Sequence, residues 1–88
     1  MHTVLWSDEA LEALAQLWAH ADPLLQVAIT AAVHRIDKRL GDDPENAAES
    51  RDGLKRVWLD FPLGVLFKID PAKKAVHLGK VWTFRKRR

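Results

Sequence analysis

Two periodicities divide this chain. Up to Leu40 the apolar residues recur at steps of three and four, and from Leu54 onward they alternate. Thr3, Val4, Leu5 and Trp6 are β-branched or apolar and predict a short opening strand. Ser7 then stands as a helix N-cap, with Asp8, Glu9 and Glu12 near the positive end of the helix dipole. Leu11, Leu14, Leu17 and Trp18 carry that helix to about His20. Asp22-Pro23 restarts the chain as N-cap and first helical residue. Leu25, Ile29, Ala32, Val33, Ile36 and Leu40 form one stripe, and Gly41 reads as the C-cap. So short a turn between two helices predicts an antiparallel hairpin.

Residues 41–53 are polar, contain Pro44 and lack periodicity, so they read as a loop with a helical turn near 45–48. Lys55, Val57, Leu59 and Phe61 then alternate with Leu54, Arg56, Trp58 and Asp60. Pro62-Leu63-Gly64 turns the chain. Val65, Phe67 and Ile69 alternate with Leu66 and Lys68, and Asp70-Pro71 opens another turn. Val76, Leu78, Lys80, Trp82 and Phe84 alternate with His77, Gly79, Val81 and Thr83. Three strands joined by short turns predict an antiparallel meander. The reading is one α+β domain over 1–88, of order β-α-α-β-β-β. Its helices pack on one face of a four-stranded sheet, and the first strand lies at an edge or inside.

Composition narrows the class. With 48% hydrophobic and 30% charged residues, the chain has the balance of a folded domain and not of a disordered one. There is no cysteine, which removes disulfides and thiolate metal sites. The start has no basic region followed by an apolar run, and no stretch is long enough for a membrane span, so a cytoplasmic protein is expected. The charge is unevenly placed. Residues 1–52 hold four Lys and Arg against ten Asp and Glu, whereas residues 53–88 hold ten against two. The second half is therefore expected to meet an anion.

Candidate chemistry lies in that basic half. Arg85, Lys86, Arg87 and Arg88 are either a solvated end that protects a sheet edge or part of a binding surface with Lys55 and Arg56. Side chains alternate along a strand, so Lys55 and Arg56 point to opposite faces; Arg56 is expected on the exposed one. The four histidines are scattered, without the spacing of a metal site, and no cofactor is expected. His77 is the one near the basic surface and the candidate proton donor. His20 and His34 read as helix-surface residues. Trp6 and Trp18 are expected at the seam between sheet and helices. Trp58 and Trp82 pack in the core, anchor a partner or stack on a base.

The strand that opens into "WSDEALEALAQLW", the "IDKRL" helix end, "GLKRVW", "LGVLFKID" and the closing "KVWTFRKRR" resemble the RelE/ParE superfamily of type II toxin–antitoxin toxins. The resemblance spans nearly the whole chain. It implies a helical hairpin on an antiparallel sheet, and a small antitoxin whose disordered tail wraps around the toxin. It also implies one of two activities: metal-independent mRNA cleavage on the ribosome, or inhibition of DNA gyrase. A member that only binds its antitoxin is the alternative. For cleavage, Lys55 and Arg56 match the family's second-strand cations, Arg85 matches its fourth-strand cation, and His77 is a proton donor. Cations would stabilise the dianion formed when a 2′-hydroxyl attacks phosphate. Val65 and Leu66 stand where a ribonuclease member has Arg, Thr83 and Phe84 where it has an acid, and there is no Tyr. An acidic antitoxin tail is expected to cross the sheet and cover Arg56 and Arg85, with Trp58, Lys80, Trp82 and Lys86 to Arg88 as further contacts.

Overall fold

A computed structural model describes residues 1–47, 50–52 and 55–85, with the side chains of 50–52 excepted. The elements are β1 (Thr3–Trp6), α1 (Asp8–Ala19), α2 (Pro23–Asp42), β2 (Ser50–Asp52), β3 (Lys55–Asp60), β4 (Leu63–Asp70) and β5 (Ala75–Thr83). A 3-10 turn, Pro44–Asn46, lies between α2 and β2. The sheet order is β1-β5-β4-β3-β2. β3, β4 and β5 form the expected antiparallel meander, and β1 adds parallel to β5 at one edge. The one addition is β2, a three-residue strand from the polar loop that pairs with β3 at the other edge. A strand that short gives no alternation to read, and short strands are what sheet edges tolerate.

The helices begin where the caps placed them. Ser7 Oγ accepts from the Ala10 amide at 3.0 Å, and Asp22 Oδ1 accepts from the Leu25 amide at 2.8 Å. α2 does not stop at Leu40; Gly41 is inside it and Asp43 is its C-cap. The Gly41 carbonyl accepts from the His2 amide at 2.7 Å, so the end of α2 is tied to the start of β1. The core lies between the layers. Ala10, Ile29, Ala32, Ile36 and Leu40 meet Leu63, Val65, Phe67, Val76, Leu78 and Val81, all buried. Each large side chain among them contributes about 1.5–3 kcal/mol by leaving water.

A β-bulge re-aims β5. Leu66 pairs with Lys80 but Phe67 pairs with Leu78, so Gly79 is the extra residue. Simple alternation put Lys80 and Trp82 on the face of Leu78. Instead the bulge turns Val81 toward the helices and puts Lys80 and Trp82 beside His77 on the opposite face. The N-terminus of α1 is seated on this bulge: the Ser7 amide donates to Leu78 O at 2.9 Å and its hydroxyl to Gly79 O at 3.3 Å.

Side-chain bonds fasten α2 to both ends of the sheet. Trp6 Nε1 donates to Asp37 Oδ1 at 2.7 Å. Arg35 holds both carboxylate oxygens of Asp60, with a shortest approach of 2.8 Å, and donates to Phe61 O at 3.2 Å. Trp18 does not join the seam. The inward face of α1 is taken by Ala10, Ala13, Leu14 and Leu17, and Trp18 is turned out at 45% exposure. Among the described residues no helix is long and apolar enough to cross a membrane.

Candidate functional site

Residues paired across a sheet project to the same side. The register therefore assigns every side chain of the meander to one of two faces. The helix side carries Arg56, Trp58 and Asp60 of β3 with Leu63, Val65, Phe67 and Ile69 of β4. The open side carries Lys55, Val57 and Leu59 with Leu66 and Lys68. In β5, His77, Lys80 and Trp82 complete the open side.

That open face is graded. Lys68 pairs with His77 in a polar row, and Lys55 is next to it at the start of β3. The next row is Val57, Leu66 and Lys80. The third is Leu59, Gly64 and Trp82, with the indole lying against Gly64. Lys55, Lys68, His77 and Lys80 are all exposed. Lys68 and Lys80 form no ion pair with a carboxylate among the described residues. Among the described side chains, Asp8, Glu9 and Glu12 are on α1 and Asp60 faces α2, while Asp70 closes β4 at the margin of the open side. The charge imbalance between the two halves of the sequence has become an imbalance between the two layers of the fold.

Arg56 is on the helix side and not on the exposed face expected for it. Its guanidinium donates to the Glu45 carbonyl at 3.1 Å. Trp58 lies beside it, partly buried against the core, with the Arg39 guanidinium 5.6 Å from its ring centroid. The set expected on the covered face is the one that faces out: Lys55, Val57 and Leu59 form the open face because the bulky partner of the helices on β3 is Trp58. Phe61, beyond the end of β3, packs on Phe84.

Arg85 is exposed beyond the end of β5, in a cleft with Leu25, Phe61, Pro62 and Phe84. Phe84 is fixed there by the hydrogen bond its amide donates to Pro62 O at 3.0 Å and by an edge-to-face contact with Phe61 at 5.7 Å. Arg56 is level with Phe67, whereas Arg85 is two residues past Thr83, which is level with Leu63. At about 3.3 Å per residue the two guanidinium-bearing positions are ~20 Å apart along the sheet. Lys55, His77, Arg56 and Arg85 are thus not one constellation: the first two share the open face, and the arginines do not. A single tail crossing the open face cannot cover both arginines. Lys86, Arg87 and Arg88 lie outside the described residues.

A second surface was not singled out from the sequence. The outer side of the hairpin carries a groove of about 370 Å³ lined by Leu11, Leu14, Trp18, Ile29, Val33 and His34. It continues over Val27 and Pro23. Val27 is 69% exposed and Leu24 beside it 85%. Both residues stood outside the α2 stripe in the sequence, which was the available signal.

Among the described residues, the one resolved ionisation shift is at Arg35. Its hydrogen bond to Asp60 raises the guanidinium pKa, burial works against this, and the charge of Asp60 adds to the rise.

No family model matches the sequence, and no curated protein matches it. Solved structures do share the fold. The chain is similar to one in the RelBE2 toxin–antitoxin complex of Mycobacterium tuberculosis, with TM-score 0.74 and 17% identity over 94% of this chain and 98% of that one. It is similar to one in the chromosomal ParDE system of P. aeruginosa, with TM-score 0.72 and 16% identity over 97% and 98%. For the isolated E. coli RelE toxin the TM-score is 0.66 at 10% identity, over 99% and 88%. The chain therefore shares its fold with these structures over nearly its whole length.

Proposed function

We propose that this protein is the toxin of a type II toxin–antitoxin pair, restrained by a small antitoxin and acting by binding its target. The observation that carries the reading is the uncovered apolar groove of the hairpin, in a chain that follows the fold of toxins solved in antitoxin complexes over nearly its full length. Leu11, Trp18 and Val27 offer the surface that an apolar helix of a partner would cover.

Binding is favoured over mRNA cleavage by the placement of the cations. Arg56 is tied to the Glu45 carbonyl behind the sheet, Arg85 lies at the far end, and no tyrosine is available as an acid. This supports an action of the gyrase-inhibiting kind. The experiment is induced expression in a bacterial host, followed by mapping of mRNA ends and assay of gyrase-linked DNA breaks. Growth arrest with intact mRNA is expected, together with trapped DNA cleavage. Codon-phased mRNA cuts on translating ribosomes, abolished by Arg85→Ala, would replace this reading with the ribonuclease one. A chain that captures its antitoxin but never slows growth would be the purely binding member.

A further inference from the structure

We propose that the open sheet face docks an extended acidic segment of a target protein, in which carboxylates alternate with apolar side chains, and not a nucleic-acid strand. The proposal takes from the toxin reading only its biological consequence, that filling this face is how the protein acts.

Charge selects an acidic partner. Lys68, Lys80 and His77 stand exposed around one patch, with Lys55 next to Lys68. The carboxylates of the meander are turned away from it or lie at its margin. Asp60 is held by Arg35 on the helix side, and Asp70, at the end of β4, accepts from the Lys73 amide. The helical layer carries Asp8, Glu9, Glu12 and Asp22, so an acidic chain is repelled there and attracted here.

Shape and polarity select a peptide. Next to the charged row stands an aliphatic one: Val57 and Leu66 are paired side by side. Beside them, Leu66, Lys68, His77 and Gly79 line a notch of about 240 Å³. Gly79 leaves it open, since a Cβ there would meet nothing within 4 Å. A notch of that size admits one apolar side chain and is smaller than the usual small-molecule pocket of about 300–1,000 Å³. Its cationic rim would receive the flanking carboxylates. A nucleic-acid strand is served by aromatic platforms at successive bases. Here the rings in these rows are the Trp82 indole, already packed on Gly64, and the small imidazole of His77, which do not make a run of platforms at successive bases.

The test uses the full chain and three fluorescein-labelled probes: a nonapeptide alternating Glu and Leu, the same peptide with Lys for Glu, and a twelve-nucleotide oligouridine. The acidic peptide is expected to bind and the basic one not to. Lys68→Glu with Lys80→Glu should weaken binding at least about tenfold, and raised salt should weaken it in the wild type. Gly79→Leu, which fills the notch without meeting another atom at its Cβ, should weaken it as well. The same variants should lose growth arrest. Oligouridine binding more tightly than the acidic peptide, or peptide affinity unchanged by the double charge reversal, would overturn the proposal. If the wild type arrests growth but does not bind the peptide, the docking surface fails and the toxin reading stands. If it binds as described but growth continues, the toxin reading fails and the docking surface stands.

Discussion

The indole of Trp82 lies so close to Gly64 that a Cβ at position 64 would stand 2.5 Å from ring atoms Cε2 and Nε1. The two residues pair across β4 and β5, so the ring rests on the neighbouring strand where a side chain would otherwise rise. Gly64→Ala should therefore push Trp82 outward and cost about 1–3 kcal/mol, as overpacking does. Gly79→Ala is the internal control. With open space above it, it should change the urea midpoint little.

The Arg35–Asp60 pair joins α2 to the end of β3. Arg35→Ala and Asp60→Asn should each lower the thermal midpoint. The double variant should lose less than the two singles combined, because each single change removes the same contact. Additive losses would mean that the pair contributes nothing beyond its separate side chains.

Ser7 does two jobs, capping α1 and bonding to the carbonyl of the bulge residue Gly79. Ser7→Ala should cost about 1 kcal/mol in urea unfolding, within the range for a lost N-cap. Ser7→Asp keeps an acceptor for the Ala10 amide but no donor for Gly79 O, and should recover the capping part of the loss alone.

Arg56 serves the fold and not the open face. Arg56→Gln should leave the affinity for the alternating Glu-Leu peptide unchanged while lowering stability through the lost bond to the Glu45 carbonyl. A peptide affinity reduced as much as by Lys68→Glu would place Arg56 in the docking surface after all.

Element order, both helix N-caps and the meander were legible in the sequence because each rests on local chemistry: Ser7 and Asp22 as acceptors, alternation in β3 and β4. Which face was open was not legible. On β3 both alternating sets contain apolar residues, and only the packing of Trp58 under Arg39 decides that Lys55, Val57 and Leu59 face out. On β5 the bulge at Gly79 reversed the assignment of Lys80 and Trp82. A glycine inside a strand was the available hint. Lys68 was legible in principle, because alternation with Phe67 and Ile69 places it opposite the core. The hairpin groove was hidden because α1 and α2 have more apolar residues than one core face uses, and periodicity does not say which remain outside.

The most direct measurement is the growth of a bacterial culture after expression is induced, alone and with the product of a small neighbouring reading frame as the candidate antitoxin. The account predicts arrest by the wild type and relief by the antitoxin. It also predicts arrest without relief for a Trp18→Glu/Val27→Glu variant, whose groove can no longer seat an apolar partner. Unimpeded growth of cells expressing the soluble wild-type chain would contradict it, as would full rescue of that variant.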